Sequence, residues 1–176
     1  AGIRGCEDAA IVEAIVKGLS DKLAEVRRAH LGGLLAALQS ALEGGGAPPA
    51  ALSGALPAIA EVLVDLLKPI LKKPPVTSVA RADALGVLVA LREAAELEPK
   101  VEAAAAAAKV WTLTLKPSDS FVWAVKVHGA GAQQRELNLS ARLHLGLANA
   151  PRHAALCGEG ASHLTRALLG MAMADY

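Results

Sequence analysis

IVEAIVKGLSDKLAEVRRAHL, residues 11–31, decides the fold. Ile11, Val12, Ile15, Val16 and Leu19 recur at helical spacing and mark one apolar face of a helix over about residues 8–19. After Ser20 the pattern restarts. Val26, Leu31, Leu34, Leu35, Leu38 and Leu42 make the stripe of a second helix over about residues 22–43. Asp21 lies between them, placed to accept the free amides of the second helix's first turn, a contact typically worth ~1 kcal/mol. The stretch therefore predicts two helices folded back on each other through a tight turn. Gly32 and Gly33 each cost that second helix up to about 1 kcal/mol relative to Ala, and close approach of a neighbouring helix is a reason to tolerate them.

Composition extends this reading to the whole chain. Of 176 residues, 53% are hydrophobic but only 2% aromatic, so the core has to be built from Leu, Val, Ile and Ala. Alanine is the best helix former and lets helices approach closely, which points to an all-α protein. The remaining segments follow suit. Helices are expected over about residues 50–72, from a Thr77 or Ser78 cap to about 98, through the alanine run to about 115, and over about 119–127, 132–149 and 151–173. In these, Pro57 and Pro69 should start, kink or end pieces of the third helix. Phe121, Val122 and Val125 should be buried, with Leu137, Leu143 and Leu147 facing inward. Loops fall near residues 44–49, 73–77, 116–118 and 129–131, and residues 1–176 read as one domain.

Chemistry-bearing constellations are weak. His153 and Cys157 lie one helical turn apart with His163 beyond them, short of the ligand count and tight spacing of a zinc site. Cys157 has a basic neighbour in His153 but no orienting group, so a buried thiol explains it better than a nucleophile. Glu93, Glu96 and Glu98 read as a solvated helix face. The glycines at 44–46 lack the Gly-Lys-Ser/Thr of a phosphate loop and read as a connector. No catalytic or metal-binding residue and no cofactor is assigned.

Cys6 and Cys157 are too few and too far apart for a disulfide framework, which fits a reducing compartment. The net charge of +1 argues against a polyanion binder. The longest charge-free stretch, 44–60, is broken by glycine and proline and is no membrane span. The start has no signal-peptide layout. It reads as mid-protein sequence, so the chain is expected to be a segment of something larger. Two basic groups remain, Arg27 with Arg28 and Lys68 with Lys72 and Lys73. Lys68 and Lys72 lie one turn apart near a helix carboxyl end, where the helix dipole favours cations in any case. Arg28, Lys68, Lys72 and Lys73 are the candidate partner-facing patch.

Pairs of helices at roughly 40 residues per unit match the period of HEAT repeats, and the Asp21, Val26, Arg27 spacing resembles the HEAT hairpin. About eight helices would give a right-handed α-solenoid of about four such hairpins, with Arg27 pairing along the stack. Val79 and Arg81 stand where the next Val-Arg pair would fall. A non-repeating helical bundle is the alternative. Read whole, Gly18-Leu-Ser-Asp-Lys-Leu-Ala-Glu-Val-Arg-Arg-Ala-His-Leu31 resembles the amino-terminal HEAT region of the general-control translational activators. A weaker echo runs from Val110-Trp111 to Phe121-Val-Trp123 and into the Leu-rich segment after Arg135.

The resemblance implies a non-enzymatic cytoplasmic scaffold that associates with ribosomes, with a contact to ribosomal RNA open to it. Its parent would activate the amino-acid-starvation kinase that acts on the translation initiation factor two α subunit. It implies no membrane and no small-molecule substrate. The alternative class is a HEAT scaffold of nuclear transport or chromosome organisation. A third class, a small helical enzyme using Cys157, would show thiol-sensitive turnover.

Overall fold

The computed structural model describes residues 9–44, 49–112 and 131–148, and these are helical with no strand among them. The described part of the protein is all-α. The helices are α1 (Ala9–Leu19), α2 (Ala24–Glu43), α3 (Ala50–Lys72), α4 (Ser78–Leu97), α5 (Pro99–Ala107) and α6 (Gly131–Ala148), with a 3-10 turn at Val110–Thr112 between the last two. The helices expected over 119–127 and 151–173 lie outside the described residues, as do Phe121, Val122 and Val125, Cys6, His153, Cys157 and His163, and the side chains of Leu137 and Leu147.

The core forms along helical stripes. On α3, Leu52, Leu56, Ile59, Leu63 and Leu67 are all sealed from solvent. Their spacing of three and four residues keeps them on one face, and burying such a side chain contributes roughly 1.5–3 kcal/mol. Glu61, Asp65, Lys68 and Lys72 occupy the exposed side of the same helix. By length and composition α3 is apolar enough to cross a membrane; here it packs against α1, α4 and α5. Both Pro57 and Pro69 lie inside it, and neither ends it.

Packing follows two rows. Among the described helices α1 lies on α3 and α3 on α5, while α2 lies on α4 and α4 on α6. Cross-row contacts join α1 to α2, α3 to α4 and α4 to α5. This makes α4 the shared element. It is buried from Ala84 to Ala95 without interruption, so its middle turns have no solvent face. Small residues make this possible. A Cβ on Gly86 would sit 3.0 Å from Leu31 Cδ2 of α2 and 3.7 Å from Leu139 Cδ1 of α6.

Three local expectations change. Helix α5 stops at Ala107, short of 115, because Lys109 takes a left-handed φ of 55°. The resulting turn buries Val110 completely and lets Trp111 Nε1 donate to Glu102 Oε1 at 3.2 Å. Tertiary burial there overrides alanine's helix propensity. Gly32 and Gly33 face open space, where an added Cβ would meet no described atom within 4 Å, so no described helix packs closely on them. The close approach falls instead at Gly18 in α1, whose backbone lies against the His30 ring of α2.

Candidate interaction surface

The hairpin turn is built by Asp21 and Arg27. Asp21 Oδ1 accepts from Leu23 N at 2.8 Å, two residues ahead, while Leu23 itself is the N-cap of α2 without a side-chain cap. Asp21 therefore shapes the turn before the helix and does not cap its first-turn amides as the spacing suggests. Arg27 Nη1 donates to the carbonyls of Asp21 at 2.7 Å and Lys22 at 2.8 Å. Its hydrogen bonds stay inside its own turn and do not run along the stack. Val26 is half-buried beside it. The next hairpin is closed differently: Thr77 Oγ1 accepts from Ala80 N, Val79 is exposed, and Arg81 is buried.

A line of ion pairs ties α2, α4 and α6 together. Arg28 Nε donates to both oxygens of Asp83, at 2.8 and 3.0 Å, and Arg135 Nη1 donates to Asp83 Oδ1 at 2.7 Å. Arg28, expected to be exposed and free, is only a third exposed and spends its Nε on α4. Arg81 pairs with Glu136 at 2.9 Å in a site that is almost closed to solvent. Further along, Arg142 Nε and Nη2 both donate to Glu93 at 2.6 Å, and Nη2 also reaches the carbonyl of Leu35 at 3.0 Å. Arg92 bridges Glu93 and Glu96.

Glu93 is thus buried, not part of a solvated face, and Glu98 caps α5 by accepting from Lys100 N. Only a covered α4 explains Glu93, and the covering helices lie far away in sequence. The available signal was the Arg92-Glu93 pair interrupting the otherwise apolar run from Val87 to Ala95.

These environments act on the carboxyl groups in opposite directions. Burial pushes Asp83 up, but hydrogen bonds and charge from Arg28 and Arg135 outweigh it and hold the carboxyl below its usual range. Asp83 in turn raises Arg28. Burial wins at Glu136, whose carboxyl is raised despite the nearby Arg81 charge and a hydrogen bond from Ser78.

The four candidate cations sit in different surroundings. Lys68 Nζ is held by Asp65 at 2.6 Å on the exposed side of α3, and Lys72 is exposed on the same helix. Arg28 and Lys73 line a groove of about 450 Å3 between the α1–α2 and α3–α4 turns. Leu19, Leu31, Leu66, Ile70 and Val87 form its apolar walls, and Arg27 and Asp83 join its rim. A second groove, about 520 Å3, opens between α1 and α2 over Ala14, Ile15 and His30. Among the described residues, no three His, Cys, Asp or Glu side chains come together as a metal site would need. No family model matches the chain, and no curated protein or solved structure matches it either.

Proposed function

We propose that this chain is a segment of a helical-repeat scaffold, an α-solenoid of HEAT-like hairpins that works by presenting surfaces to protein partners. The observation that carries the reading is the contact order of the first two hairpins: α1 lies on α2 and α3 on α4 within each, while α1 lies on α3 and α2 on α4 between them. Stacked hairpins produce that order because each unit buries its apolar faces mainly against the next one. The turn held by Asp21 and Arg27 supports the same reading. Arg81 and Glu93, both buried on α4, are each paired with a charged group of α6, as a structural network requires.

The resemblance of residues 18–31 makes the parent a ribosome-associated translational activator of the starvation-responsive kinase. In this reading Lys68 and Lys72, displayed on the outer side of α3, supply the contact to the ribosome or its RNA. Co-sedimentation of the chain with ribosomes across a salt series tests it, beside a Lys68→Glu, Lys72→Glu variant. Phosphate contacts give steeply salt-dependent binding, so the reading expects association at low salt that falls as salt rises and is lost in the variant. No association at low salt removes ribosome binding and leaves a scaffold of another class.

A further inference from the structure

The 450 Å3 groove between the two hairpin turns has a shape and charge of its own. Its walls are aliphatic. Of the large hydrophobic side chains exposed among the described residues, Leu23 (60% exposed), Val76 (88%) and Val79 are each the chain neighbour of a groove-lining residue, Ala24, Pro75 and Ala80 respectively. Exposed apolar groups gathered at one end of a domain and rimmed by polar ones mark interaction surfaces.

The rim is cationic. Arg27 donates to the carbonyls of Asp21 and Lys22 and makes no ion pair among the described residues. Lys73, at the end of α3, is exposed and makes no ion pair among the described residues. Asp83, the acidic group lining the groove, is already held by Arg28 and Arg135 together. Glu25 lies near enough to Arg28 to act on it through charge, but it does not line the groove.

We propose that this groove is a docking site for an acidic–apolar linear segment of a partner protein, its aliphatic side chains between Leu31, Ile70 and Val87 and its carboxylates against Lys73 and Arg27. The charge of the rim selects this occupant over a basic or neutral one, and the aliphatic lining calls for aliphatic side chains. The inference rests on the scaffold reading but not on ribosome binding, because Lys68 and Lys72 take no part in it.

The test is fluorescence anisotropy with the full chain and a labelled hexapeptide, two leucines flanked on each side by two acidic residues. Control peptides replace the leucines by serine or the acids by lysine. Lys73→Glu changes an exposed side chain, and Ala80→Trp fills the mouth of the groove from a half-buried position; circular dichroism checks that both fold. Saturable binding is expected for the acidic–leucine peptide alone, weakened at least about tenfold by Lys73→Glu, as a reversed contact charge implies, and abolished by Ala80→Trp. Absent binding, equal binding of the lysine peptide, or binding indifferent to both variants overturns the proposal. Self-association of the chain that Ala80→Trp abolishes would overturn it too, assigning the groove to a second copy. Retained ribosome association in Ala80→Trp separates the two surfaces.

Discussion

Gly18 and Gly33 are both glycines within helices, yet they answer to different forces. The backbone of Gly18 carries the His30 ring, and a Cβ there would overlap it. Overpacking costs typically about 1–3 kcal/mol, more than the gain of up to about 1 kcal/mol from replacing a helical glycine by alanine. Gly18→Ala should therefore destabilise the protein in urea denaturation, and should become stabilising once His30 is itself replaced by alanine. Gly33 faces open space, so Gly33→Ala should stabilise by about 0.5–1 kcal/mol with no partner change. Equal effects at the two positions would contradict the packing described for α1 on α2. The sequence shows two helical glycines at 32–33 and one at 18. It does not show which of them lies under a ring, because that depends on how two helices cross.

At the scale of the helix, α4 depends on charged groups that it cannot expose. Glu93 accepts from Arg142 of α6 and from its own neighbour Arg92. Removing one member of a buried ion pair strands the other, a loss of about 3–5 kcal/mol. Glu93→Ala should cost that much in chemical denaturation and Arg142→Ala less, since Glu93 would keep Arg92. Two losses below about 1 kcal/mol would mean the site is solvated.

The stability of the same row should also depend on pH, in two opposing senses. Asp83 titrates below its unfolded value of about 3.9, so its contribution is present above that pH and is lost as pH falls through the lower folded value. Glu136 titrates above its unfolded value of about 4.3, so its contribution is present below that pH and is lost as pH rises through the higher folded value. Urea midpoints measured from about pH 2 to 7 should lose part of their acid decline in Asp83→Asn. Part of the decline above about pH 4.3 should disappear in Glu136→Gln. Unchanged slopes in both variants would remove these two groups from the account.

Over the whole molecule, what was legible in the sequence is what repeats locally. The stripes of α1, α2 and α3, apart from Ile11, which is exposed, and the Thr77 cap follow from spacing and from hydrogen bonds made within a few residues. Three features were not legible: Glu93 inside the core, Arg28 turned onto Asp83, and the early end of α5. Each is decided by a partner many residues away or by a side chain that gains more from burial than from continuing a helix. The candidate surface divides for the same reason. Lys73 ends up beside Arg27 and Arg28 because α3 returns to the first hairpin turn, whereas Lys68 and Lys72 are carried round to the outer side of α3.

The central claim is the row order, with α4 between α2 and α6. Methyl-resolved nuclear Overhauser spectroscopy on the full chain tests it most directly at Gly86. The account predicts cross-peaks from the Gly86 α-protons to the δ-methyls of both Leu31 and Leu139, the two groups that flank it. Cross-peaks that place Leu139 against α1 instead, with none to Gly86, would replace the two rows by a closed bundle and contradict the account.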